Sequence, residues 1–177
     1  RLSLVGSEMC IRDRPEAGIW APDINYINGK YVMYYSLSKW GGGATCGIGV
    51  SVSDKPEGPF TDQGKLFRSN EIDVHNSIDP FYIEDDGKKY LFWGSWYGIW
   101  GVELTEDGLG LKGGIENAKA TKIQVAANTG GTNAYEGSYI LKRGKCYYLF
   151  CSTGTCCDGA NSTYPVSYTH LTLPTKG

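Results

Sequence analysis

The stretch Asp79–Ser95, DPFYIEDDGKKYLFWGS, occurs in three variants along the chain. The others are Asp23–Ser36, DINYINGKYVMYYS, and Glu136–Ser152, EGSYILKRGKCYYLFCS. Each copy opens on an acid followed three residues later by a tyrosine (Tyr26, Tyr82, Tyr139) and an isoleucine. A polar turn with glycine (Gly29, Gly87, Gly144) comes next, then an aromatic-rich segment ending in serine. The acids stand 56 and 57 residues apart. A fixed period of this size, in units of short strands and glycine turns, is the signature of a β-propeller in which each repeat is one blade. Equivalent positions in successive blades face a common axis, so Asp23, Asp79 and Glu136 are predicted to converge on one pocket. Convergent carboxylates in unequal environments are the apparatus of acid/base hydrolysis.

The two ends read differently from the repeats. Met9–Asp13 can be encoded by ATG TGT ATA AGA GAC, and the reverse complement of that string encodes Val166–His170. One short DNA element in opposite orientations thus accounts for both, and it resembles a transposase sequencing adapter. Residues 1–14 and 166–177 are therefore read as non-native, adapter-derived segments and excluded from fold reasoning. Residues 15–165 are the partial propeller, from the second blade onward. About 150 native residues at this period make between two and three blades, against the typical 4–8 of closed propellers. About two and a half blades are therefore expected, as an internal piece of a longer chain.

Without the flanks His75 is the single histidine, which leaves little material for a histidine-based triad or a multi-histidine zinc site. The remaining cysteines, Cys46, Cys146, Cys151, Cys156 and Cys157, are odd in number and fit no zinc spacing, so they are read as buried free thiols. With 17 basic and 19 acidic residues there is no basic face for nucleic acid. No apolar run approaches the roughly 20 residues that span a bilayer. The 13 tyrosines, 5 tryptophans and 25 glycines indicate an all-β protein whose surplus aromatics suit sugar rings as well as cores.

Along the chain, Asn28-Gly29 and Asp86-Gly87 are hairpin turns between aromatic-rich strands. Gly47–Asp54 alternates as a further strand, SDKPEGPF is a turn leading to an edge segment, and Glu106-Asp107-Gly108 is another turn. Only 115–120 reads as a helical turn.

Six motifs in order, WAPDI (20–24), IGVSVSDKPEGPF (48–60), NSIDP (76–80), GSWYGI (94–99), YEGSYI (135–140) and CCDGANSTY (156–164), resemble glycoside hydrolase family 43. This is a family of five-bladed propellers acting on arabinan and xylan, and the likeness is closest to its arabinan endo-1,5-α-L-arabinosidases. It covers essentially all of residues 16–165. It implies an inverting hydrolysis by three carboxylates. Glu136 of YEGS matches the general acid and Asp79 of NSIDP matches the Asp that tunes and positions it. The general base has no counterpart and belongs about one period before Asp23. Asn76, Ser77, Ile78, Ser95, Trp96 and Tyr97 match segments that line the substrate cleft, Trp96 as a stacking platform for a sugar face. Asp23 of WAPD is a candidate for binding a sugar hydroxyl or for orienting backbone at the axis. His75 is placed on a loop near the cleft rim. The resemblance further implies an oligo- or polysaccharide partner (arabinan or arabinoxylan), a secreted or periplasmic location, and calcium on the propeller axis of the full-length protein, through a histidine absent here.

An acid role for Glu136 requires a carboxyl kept protonated by an apolar setting and the nearby charge of Asp79. Inversion requires base and acid carboxyls roughly 6.5–9.5 Å apart, to admit a water. YEGS departs from the string usual in endo-arabinanases, which leaves exo-acting α-L-arabinofuranosidase or β-xylosidase specificity open. The fructan-cleaving five-bladed enzymes carry Arg-Asp-Pro where this chain has Ile78-Asp79-Pro80. A non-catalytic carbohydrate-binding propeller is the alternative of another class, disfavoured by the presence of both Asp79 and Glu136. Lacking a base, the 177-residue chain alone is expected not to hydrolyse linear arabinan; reducing-sugar release by the purified chain would contradict the assignment.

Overall fold

Two-residue turns set the hairpins. Asn28 and Gly29 have φ of 49° and 85°, and Asp86 and Gly87 have φ of 50° and 72°. Positive φ at both central residues is the type I′ geometry that matches strand twist. In the computed structural model of the chain, residues 4–5, 18–39, 42–127, 135–153 and 167–171 are described. The first four-stranded antiparallel unit is β2 (Gly18–Ile27), β3 (Lys30–Ser38), β4 (Gly47–Ser53) and β5 (Phe60–Arg68), with the two-residue β1 (Leu4–Val5) parallel to β5. The single turn α1 (Ser69–Ile72) leads to the second unit, β6 (Phe81–Asp85), β7 (Lys88–Trp93), β8 (Ile99–Glu103) and β9 (Ile123–Ala126), with α2 (Gly114–Thr121) between its last two strands. A third sheet contains β10 (Glu136–Arg143), β11 (Cys146–Ser152) and β12 (Ser167–Leu171).

Three consecutive antiparallel meanders of a propeller are therefore present, at the expected period. The 115–120 turn is the helix α2. The edge segment after SDKPEGPF is a full nine-residue strand, and α1, one turn long, was not foreseen. The flanks set aside on sequence grounds contribute β1 and β12, which pair with β5 and β11. Edge pairing uses backbone groups, so it requires no particular side chains. The motif at 156–164 and Cys156-Cys157 lie outside the described residues. Cys46 and Cys151 are buried free thiols, and Cys146 is a partly exposed one.

Blades are held by side chains on both faces of their strands, which is why five successive residues of β3, Val32 to Ser36, are all buried. Tyr34 of β3 stacks on Tyr82 of β6 at 5.8 Å, and Phe67 of β5 meets Trp93 of β7 at 4.8 Å. These rings join Val32, Ile48, Val50, Leu91 and Val102 in one core between the first two sheets. The next interface packs Phe92 and Ile99 against Ile140, Tyr147 and Leu149. Asp85 ties its rim by binding Lys142 and Tyr147.

Trp93 is fully buried and its indole N–H donates to Ser77 Oγ at 3.0 Å. Trp93→Ala should cost about 3–5 kcal/mol. Breaking the exposed Lys30–Asp54 pair should cost at most about 1 kcal/mol. Urea unfolding measures both, and equal effects would contradict this account of inter-blade packing.

Candidate active site

Each of the three repeat acids sits where its strand departs from regular geometry. β2 carries a bulge between Trp20 and Asp23, with Ala21 at φ 43°. Asp79 itself has φ 59°, two residues before β6 begins at Phe81. β10 carries a bulge just after Glu136, with Gly137 at φ 60°. Bulges and left-handed residues turn a side chain away from the pleat, and they concentrate at sites with a function. The result is one open depression of about 480 Å³, lined by Asp23, Asp79, Pro80, Phe81, Glu136 and Ser152 among others. The expected convergence of the three carboxylates is thus present in the structure.

Hydrogen bonds between consecutive blade starts fix the carboxylates. Asp23 Oδ2 accepts the Tyr82 backbone N–H at 2.7 Å and the Asn25 side-chain amide at 2.9 Å. One repeat later, Asp79 Oδ2 accepts the Gly137 N–H at 3.2 Å. The Asp79 N–H in turn donates to Ser36 Oγ at 2.9 Å. Glu136 Oε2 accepts the Ser95 hydroxyl at 3.1 Å. Burial, with the charge of Glu136 adding to it, pushes the Asp79 carboxyl up to about 6 against the opposing effect of the Gly137 N–H. Burial also raises Asp23, with its two donors opposing. A carboxyl lifted by burial and by a neighbouring like charge, facing an open depression, is a candidate for acid/base chemistry.

The matched cleft residues divide into two groups. Trp96 and Tyr97 are 46% and 52% exposed, large aromatic surfaces beside the site. Three expected ligand contacts need correction. Ser77 is wholly buried: its hydroxyl donates to Val74 O and accepts from Trp93, and its N–H donates to Ser69 Oγ. Ile78 is buried, and its backbone joins Asn76 and Gly94. Ser95 is 1% exposed and holds Glu136. These three support the site from beneath. Asn76 is half-buried and donates its side-chain amide to Ser95 O at 3.3 Å. Asp23 lines the depression, but its Oδ2 already serves two donors. His75 is exposed and packs edge-on against Tyr97 at 4.5 Å.

Sequence reasoning missed Ser36, Ser152 and Ser138. The first two end their repeats, and that recurrence was the signal available. Ser138 lines the same depression and, among the described residues, its hydroxyl is buried without a hydrogen-bond partner. Among the described residues, no three His, Cys, Asp or Glu side chains come together to hold a metal ion.

The sequence model of Glycosyl hydrolases family 43 matches residues 6–175. Extracellular endo-alpha-(1->5)-L-arabinanase 1 of Bacillus subtilis is 37% identical over 151 residues, covering 84% of this chain and 45% of that protein. Arabinan endo-1,5-alpha-L-arabinosidase A of Aspergillus niger is 36% identical, with 84% and 44% covered. Among solved structures, an exo-1,5-alpha-L-arabinanase from a bovine ruminal metagenomic library superposes with a TM-score of 0.70 at 37% identity, over 86% of this chain and 51% of that one. The alpha-L-arabinanase of Cellvibrio cellulosa gives 0.75 at 29% identity, over 93% and 56%. The chain spans about half the length of these relatives.

A carboxyl held near 6 in the fold is easier to ionise in the unfolded chain, where it titrates near 4. Stability should therefore fall as pH rises from about 4 to about 6, by an amount on the order of 2 kcal/mol for Asp79. Asp79→Asn should flatten that fall, leaving the smaller part from Asp23. Urea unfolding at pH 4, 5, 6 and 7 reads this, and identical slopes for the variant and the parent would contradict it.

Proposed function

The chain belongs to glycosyl hydrolase family 43, and from that premise we propose that a protein carrying it hydrolyses α-1,5-L-arabinofuranosidic bonds of arabinan by single displacement with inversion. The observation that carries this reading is the meeting of Asp79 and Glu136, from successive blades, in one open depression. Glu136 is the general acid and donates its proton to the leaving glycosidic oxygen. Asp79 stands beside it in the same depression, half-buried and held by the Gly137 N–H, and positions the acid. The base that activates water is a carboxylate of a further blade, about one period before Asp23. Trp96 and Tyr97 offer flat aromatic surfaces to arabinose rings.

The endo-acting relatives from Bacillus and Aspergillus support an internal cleavage mode on arabinan. An exo-acting mode, with the same acid pair, is supported by the ruminal structure. An extracellular setting, secreted or periplasmic, follows for a polymer substrate and agrees with the name of the Bacillus relative.

In a protein that combines this chain with the base-bearing blade, Glu136→Gln should lower turnover of arabino-oligosaccharides by about 10²–10⁴-fold. An aryl arabinofuranoside, whose leaving group departs without a proton, should lose far less. Steady-state kinetics on both substrates measures this, and unchanged turnover of the oligosaccharide would remove Glu136 from the mechanism.

A further inference from the structure

The backbone of the turn at 94–98 binds the residue that precedes each acid of the pair. The Gly94 N–H donates to Ile78 O at 2.9 Å, and Ile78 immediately precedes Asp79. The Trp96 N–H donates to Tyr135 O at 3.0 Å, and Tyr135 immediately precedes Glu136. Between these anchors, the Ser95 hydroxyl reaches Glu136 Oε2. Asn76, three residues before Asp79, holds the Ser95 carbonyl.

This turn has little freedom. A Cβ on Gly94 would stand 2.1 Å from Gly98 O, and one on Gly98 would stand 2.5 Å from Ala126 O. Both glycines have positive φ, and Trp96 is held at φ 66°, an uncommon conformation for a large side chain. Backbone of this kind persists only where its surroundings over-determine it. The preceding junction uses the same repeat position in a related way. Ser36, which also ends its repeat, accepts the backbone N–H of the next acid, Asp79. At the second junction the equivalent serine holds the next acid by its carboxyl group.

We propose that the 94–98 turn is a strut between the two acids and that Ser95 is a positioning residue, which engages Glu136 Oε2 so that the proton for transfer is carried on Oε1. The proposal rests on the reading of Glu136 as general acid. A carboxyl free to rotate presents its proton in several directions; one with an oxygen anchored to a buried hydroxyl presents it in one. Proton transfer in the transition state depends on that alignment.

The coupling can be read on this chain without catalysis, by following the Glu136 carboxyl carbon through a pH titration with ¹³C NMR. Ser95→Ala removes the hydroxyl bonded to Glu136 Oε2, so the midpoint should move away from that of the parent. Ser95→Thr, which keeps the hydroxyl, should restore it. A folded Ser95→Ala chain with the parent midpoint would overturn the proposal. The unmutated chain supplies a second reading should the alanine variant fail to fold. There the Ser95 ¹³Cβ shift should follow the Glu136 midpoint, and this titration should disappear in Glu136→Gln; a Ser95 signal indifferent to pH would be equally fatal. In the catalytically complete protein, Ser95→Ala should slow oligosaccharide turnover about tenfold, with kcat affected more than KM and an aryl substrate affected less. Wild-type hydrolysis by Glu136→Gln would sink the general-acid reading alone, because the Ser95 titration tests the contact whatever the role of the acid.

Discussion

The hydrogen bonds that join the start of one blade to the start of the next are the constraint on which the site depends. Asp23 accepts from the inner strand of the second blade and Asp79 from that of the third. These bonds repeat with the chain, so the carboxylates that line the depression also tie one blade to the next. Charge-assisted bonds to backbone amides contribute about 1.5–3 kcal/mol each when partly shielded from water. Cores such as Tyr34 on Tyr82 supply the bulk of the adhesion. The polar bonds add direction, since they decide which way each blade's first residues face.

That arrangement brings like charges together at a cost. Asp79 is lifted by burial and by Glu136, and only one backbone N–H opposes the lift. The consequence is a carboxyl, that of Asp79, which keeps its proton up to about 6 beside Glu136. The two acids are anchored differently: Asp79 accepts a backbone N–H, while Glu136 accepts a serine hydroxyl from the 94–98 turn of the preceding blade. The strained turn at Trp96 and the bulges beside Asp23 and Glu136 are where the chain departs from regular propeller geometry in favour of that arrangement.

Much of this was legible in the chain because it repeats. The acid, the tyrosine three residues on, the turn glycine and the closing serine mark one unit each time, and the common axis of a propeller turns equal positions into a shared pocket. Two properties escaped. A motif match does not say on which side of the backbone a residue lies, so Ser77, Ile78 and Ser95 were expected to touch a ligand although all three are buried beneath it. Hydrogen bonds across blades depend on tertiary placement, so the engagement of Asp23 with Tyr82 and the grip of Ser95 on Glu136 had no local signal. The strands β1 and β12 were unforeseen because their pairing is a property of open sheet edges, written in backbone atoms common to every residue.

The central claim is that Glu136 and Asp79 together form the point at which an arabinan chain is cut. The most direct test is a crystal structure of the Glu136→Gln variant soaked with an arabino-oligosaccharide. The account predicts a glycosidic oxygen within about 3 Å of the residue 136 side chain, with the adjoining sugar over Asp79. An oligosaccharide bound elsewhere on the propeller, with the depression between the two acids empty, would contradict it.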